Sequence, residues 1–184
     1  METFGLGNYR GNAFTTGCSP NAEEHDKCYK KTEIFDLSEM VWNGEIPDYP
    51  FIKDDSSEKG IYHYSTTHTP DAVFIIGGHV TRNIVAEFRD NQWKHIANLK
   101  RGRSRHGSIS FGGQTIIIGG VDSSGNVEGD LPTEVWDFQN GNGRTIEPSL
   151  PAYDGYSNGI GLYFVDANFV SSCSLGTIEV GRPA

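Results

Sequence analysis

Apolar residues in this chain fall into short blocks cut by glycines and polar residues, and two of those blocks share an ending. Ala72-Val-Phe-Ile-Ile-Gly-Gly78 and Gln114-Thr-Ile-Ile-Ile-Gly-Gly120 each close a strand-length run on a glycine pair, and the pairs stand 42 residues apart. Short runs rich in β-branched residues and bounded by turn residues predict strands, and no long amphipathic pattern predicts a helix. A glutamate and an aromatic come after each pair, as Glu87-Phe88 with Trp93 and as Glu134-Val-Trp-Asp137. Upstream, Phe14-Thr-Thr-Gly17 occupies the place of the first block, and Thr32-Glu-Ile-Phe-Asp-Leu37 with Trp42 supplies the glutamate, the aromatic and the tryptophan. Self-similarity at this period predicts a stacked or radial repeat, because one such unit cannot bury its own apolar face.

The recurring residue types suggest structural roles. Gly77, Gly78, Gly119 and Gly120 end buried strands where a positive φ and close backbone approach exclude a Cβ. Trp42 and Trp93 are expected to fill the space between twisted sheets, with Trp136 in the aromatic strand of the third unit. Glu33, Glu87 and Glu134 recur at the start of an aromatic strand and read as structural carboxylates accepting backbone or arginine hydrogen bonds.

Composition agrees with an all-β domain, since 23 glycines and 11% aromatic residues supply turns and pleated surface. The polar stretches from Asn21 to Lys31, Lys53 to Lys59 and Val121 to Thr133 lie between strand candidates and read as loops. No linker divides the 184 residues, so residues 1–184 are expected to form a single region.

In order and type, these residues resemble the kelch repeat family of β-propellers. The fullest match runs from Arg103-Ser-Arg-His106 through Gly119-Gly120 to Glu134-Val-Trp-Asp137. The tryptophan expected after it is replaced within Gly141-Asn-Gly-Arg-Thr-Ile146, which leaves the last strand of that unit open. Arg89 replaces the aspartate in the middle unit, and Cys18 the second glycine in the first. The resemblance implies a kelch-type β-propeller, partial or truncated at three to four blades, with units at about 12–51, 60–103 and 104–156 and a partial unit at 157–173. Kelch units take about 50 residues and propellers usually have four to eight blades, so the chain is expected to be a fragment, an open arc, or a ring completed by a partner chain.

The resemblance also places Arg103 near a propeller mouth where ligands dock, with Arg101, Arg105 and His106 as its neighbours in sequence. The middle unit has Gly60 and Ile61 at the equivalent place, with His63 close by, so no ring of arginines is expected. It further makes an extracellular location the favoured one, with a cytoplasmic one as the alternative. Cys18 and Cys28 flank one loop and are a candidate disulfide, with unpaired thiols in a reducing compartment as the other reading.

The net charge of −9 argues against general nucleic-acid binding, and no stretch reaches the roughly 20 apolar residues of a membrane span. The basic run from Lys100 to His106 suits an acidic peptide or a sugar, because arginine forks match carboxylates. Phosphate-loop, nucleophile-elbow and zinc-protease motifs do not occur, and the six histidines show no ligand spacing that predicts a metal. No cofactor is expected. The function these residues favour is that of a non-catalytic module binding a protein or peptide through its loops. The alternative is a propeller enzyme acting on carbohydrate, similar to galactose oxidase or a glycosidase, with part of its site missing.

Overall fold

The computed structural model describes residues 5–17, 30–52, 60–122, 131–146, 160–165, 168–173 and 178–181, those after residue 159 by their backbone. The described residues form strands and turns with no helix. Four strands, β1 (Gly5–Tyr9), β2 (Asn12–Thr16), β3 (Thr32–Asp36) and β4 (Val41–Asn43), make the first antiparallel sheet in sequential order. Strands β5 (Ser65–Thr69), β6 (Ala72–Ile76), β7 (Ile84–Arg89) and β8 (Gln92–Asn98) make the second. The third holds β9 (Gly107–Phe111), β10 (Gln114–Ile118), β11 (Thr133–Asp137) and β12 (Asn142–Ile146). A fourth, three-stranded sheet holds β13 (Ile160–Val165), β14 (Asn168–Cys173) and β15 (Ile178–Gly181). Strand β1 neighbours β5, β5 neighbours β9, and β9 neighbours β13, so the first strands form one continuous inner row, a propeller-like arrangement.

Each sheet is a meander of strands in sequence order, and tight hairpins join β1 to β2, β7 to β8 and β9 to β10. Arg10-Gly11, Asp90-Asn91 and Gly112-Gly113 carry positive φ at both central positions, the geometry whose twist matches the flanking strands. Longer turns come after β3 and β11, where Asp36 accepts hydrogen bonds from Ser38 and Glu39, and Asp137 from Gln139 and Asn140. These bonds hold both carboxyls below the usual aspartate range.

The expectations for strands need four corrections. The first strand of the first sheet lies before its expected unit, since β1 precedes residue 12, whereas β5 falls within the 60–103 unit as the polar run Ser-Thr-Thr-His-Thr. Strand β12 exists despite its missing tryptophan, because the aromatic has moved across the ladder. Phe35 pairs Trp42 and Phe88 pairs Trp93, whereas Trp136 pairs Gly143, where an added Cβ would sit 2.3 Å from the indole. The fourth unit continues past residue 173, since β14 and β15 come after β13. Finally, Trp42 does not fill an intersheet space, for it is 59% exposed.

Two apolar cores lie between successive sheets. Phe14 and Ile34 of the first sheet meet Val73, Ile75, Ala86 and Phe88 of the second, with Tyr49 and Ile52 of the connecting segment beside them. The other face of the second sheet, through Ala72, Phe74, Ile76 and Val85, meets Ile117 and Trp136 of the third. Strand β6 is therefore buried at every residue, which explains its unbroken apolar run.

Candidate functional site

The glycine corners organise the end of the sheets at which second strands finish and the next sheet's first strand begins. Gly77, Gly78, Gly119 and Gly120 all have positive φ, as expected from the sequence. A Cβ on Gly77 would lie 2.5 Å from the Arg103 carbonyl oxygen, and one on Gly17 would lie 2.5 Å from that of Ile61. Each corner thus touches the segment entering the next sheet, four residues before its first strand. His79 N–H donates to Tyr62 O at 3.0 Å, and Val121 N–H donates to Ser104 O at 2.9 Å. His63 and Arg105, one residue further along, both have φ of 57°. The segments at 61–64 and 103–106 are therefore structural equivalents.

That equivalence fixes the role of Arg103 and corrects its expected place at a ligand mouth. Arg103 and Glu134 are both fully buried and ion-paired at 2.8 Å. The guanidinium also donates to the carbonyl oxygens of Gly119 at 3.1 Å and Pro132 at 2.9 Å. Glu134 further accepts the backbone N–H groups of Lys100 and Arg101 and the Trp136 indole N–H. Burial lowers the Arg103 pKa while Glu134 opposes that shift. All of this binding capacity is spent inside the fold, so Arg103 ties one sheet's exit to the next sheet's third strand.

The ladders show which glutamates are true counterparts. Thr15 pairs Glu33, Ile75 pairs Ala86, and Ile117 pairs Glu134, so Glu33 and Ala86 occupy the position of Glu134. Glu87 stands one residue on, facing the other way, where it accepts a hydrogen bond from Arg89 at 2.9 Å. Glu33 pairs with Lys31 at the surface. The second sheet replaces the ion pair with Ile61 and Ala86, both in one apolar core. A buried arginine and a buried glutamate are thus exchanged together for two apolar side chains, which leaves no charge stranded.

The remaining sequence candidates separate. His106 is buried against the glycine corners, and burial with the neighbouring Arg103 charge pushes its imidazole down to about 3. Arg101 is exposed. Arg105 is half-buried and is brought to residues from the preceding repeat: its N–H donates to His63 O at 2.8 Å, and its Nε lies 3.5 Å from His63 Nδ1. Tyr62 stacks on His79 with ring centres 4.9 Å apart, and His63 stands edge-on to both. Burial, then the charges of Arg105 and His79, push the His63 pKa down to about 4, so its ring is neutral near pH 7 and offers one donor and one acceptor.

Tyr62, His63, His79 and Arg105 form the cluster best suited to a ligand. Among the described residues no carboxylate pairs with Arg105, and no group of three or more histidines, cysteines or acids could hold a metal. Sequence reasoning named Arg105 but not His79 or Tyr62, since these residues meet only through the repeat. A signal was present nonetheless: shifting the chain by 42 residues places His63 on Arg105 and His79 on Val121. Cys18 and Cys28 lie outside the described residues.

No family model matches the chain, and no curated protein matches it in sequence.

Proposed function

We propose that this protein is a binding module built on a kelch-type β-propeller, a partial one within this chain, whose contact surface is the sheet end carrying Tyr62, His63, His79 and Arg105. Its ligand on this reading is a protein or peptide that presents a carboxylate. The observation that carries the proposal is Arg105, a half-buried cation with an imidazole at its side and no acid to neutralise it among the described residues. Both His63 and Arg105 hold a left-handed backbone conformation that non-glycine residues adopt at a cost, the kind of local strain that clusters at binding sites. A guanidinium offers a carboxylate two parallel hydrogen bonds, while the stacked Tyr62 and His79 rings give a flat apolar neighbour.

The test is fluorescence anisotropy with a fluorescein-labelled tetraglutamate peptide and a tetraserine control. The wild-type chain is expected to prefer tetraglutamate. Arg105→Gln should weaken that binding about tenfold, or about 1.4 kcal/mol, and Arg101→Gln should weaken it less. Equal binding of the two peptides, or an Arg105→Gln protein that binds as wild type does, overturns the reading.

A further inference from the structure

The inner strands of the second and third sheets bring hydroxyl groups into the seam between them. Ser65 pairs Ile76 and Ser108 pairs Ile117, and paired residues share a face, so both serines point into the seam that Ile76 and Ile117 close. Two residues further along each strand, Thr67 donates to Ser110 at 2.8 Å, and Ser110 bonds Thr115 at 2.8 Å. Strands β5 and β9 both start from the glycine corners, so the 43-residue offset of that contact also sets Ser65 opposite Ser108. His106 stands two residues before Ser108, and its Cε1 lies 2.8 Å from where a Cβ on Gly77, the residue after Ile76, would be. The Ser65 and Ser108 hydroxyls and both ring nitrogens of His106 are buried, and none has a hydrogen-bond partner among the described residues. The step at Thr67 is matched directly, and the step above it is not.

We propose that a water molecule is sealed at this step of the seam, held by Ser65 Oγ, Ser108 Oγ and one nitrogen of His106. A buried water typically makes about three hydrogen bonds to groups the protein leaves unmatched, and three such groups converge here. Their chemistry suits water better than an ion. Each hydroxyl can donate or accept, and a neutral imidazole offers one donor and one acceptor, a mixed set that matches a molecule with both capacities. The ring is neutral near pH 7, because burial and the Arg103 charge push its pKa down to about 3. The Ile76 carbonyl lies near enough to oppose that shift without making a hydrogen bond of good geometry, which marks the N–H side of the ring and leaves the other nitrogen to accept from the water. The neighbouring cation, Arg103, is already paired with Glu134 and leaves no free charge for an anion. The proposal does not depend on the ligand reading above.

Magnetic relaxation dispersion of water oxygen, which counts waters held longer than the protein tumbles, tests it together with a high-resolution crystal structure of the 184-residue chain. The expected density lies within hydrogen-bond distance of both serine oxygens and one His106 nitrogen, with no anomalous signal in crystals grown from rubidium bromide. Ser108→Val, which fills the step with methyl groups, should lower the dispersion amplitude by one water. Ser108→Ala, the milder change, should keep the fold and shorten that water's residence about fivefold by removing one bond. An empty step, a direct hydrogen bond between Ser65 and Ser108, or a dispersion profile that neither substitution changes overturns the proposal. A rubidium or bromide signal at the three groups does so too, since the site would then be an ion's.

Discussion

Two aromatic pairs in neighbouring sheets have almost the same internal geometry and opposite surroundings. Phe88 and Trp93 lie with ring centres 5.0 Å apart at 60°, and Phe35 and Trp42 lie 5.0 Å apart at 63°. Phe88 is fully buried beneath Tyr9 and Phe14, and Trp93 is roofed by Tyr49 and donates its indole N–H to Pro47 O at 2.9 Å. Among the described residues none roofs Trp42 in this way. The cross-strand pair is therefore a property of the sheet, set by register, while its burial is a property of the neighbour. A tryptophan in a repeat specifies which ring it touches within its own ladder, not whether water reaches it.

The largest expected effect breaks the buried member of the comparison. Phe88→Ala removes a fully enclosed ring from the first core and should cost about 3–5 kcal/mol, the range for buried aromatic truncations. Phe35→Ala, in the equivalent ladder position, should cost about 1 kcal/mol, because much of the ring's pairing is with a side chain that water already reaches. Urea denaturation of the two variants measures the difference. Equal losses would show that the pair itself, and not the neighbouring sheet, supplies the stability.

A second test exchanges the two kinds of seam. Arg103→Met leaves Glu134 buried with two backbone donors and an indole but no cation, and should cost about 3–5 kcal/mol. The double variant Arg103→Ile with Glu134→Ala copies the Ile61 and Ala86 arrangement of the preceding seam. It should recover part of that loss, limited by the N–H groups of Lys100 and Arg101 that Glu134 now satisfies. A double variant no more stable than Arg103→Met would show that the second seam cannot be transplanted.

These contrasts explain which features could be read from the sequence. Gly-Gly at 77–78 and 119–120 and the aromatic strands were legible because a glycine corner and a ladder position impose a residue type locally. Register was not legible. Glu87 obeys the same local pattern as Glu134, yet one residue of displacement turns it to the opposite face, where Ala86 takes the equivalent place. Arg103 misled for a related reason: a basic run in an acidic chain reads as surface, and only its distant partner Glu134 shows that this cation is internal. Polar β5 has no apolar run to mark it, and Thr67 instead donates to Ser110 of the next inner strand at 2.8 Å, a long-range bond without a sequence signature.

Acid should distinguish the seams further. His63 and His106 have pKa values pushed down to about 4 and about 3, below the ~6.5 of an unfolded histidine. Below pH ~6.5 the unfolded chain therefore takes up protons that the folded chain refuses. Stability contributed by the neutral rings is complete above that pH and falls as the pH drops toward 4 and 3. His106 is the more enclosed group, and it lies at the corners of the second and third sheets, so amide exchange is expected to accelerate there before it does in β1–β4. In His106→Gln the denaturation midpoint should depend less steeply on pH between 4 and 6.5. An unchanged slope would assign the acid sensitivity elsewhere.

The smallest effect is expected at the exposed member of the aromatic pair. In dilute, monomeric protein Trp42→Ala removes an indole that is already largely hydrated, so the loss should stay within about 0.5 kcal/mol, as for most surface substitutions. Thermal melts of wild type and Trp42→Ala should therefore nearly coincide. A loss as large as that expected of Phe35→Ala would show that the indole supports its own sheet despite its exposure, and that the contrast between the two aromatic pairs is not one of burial.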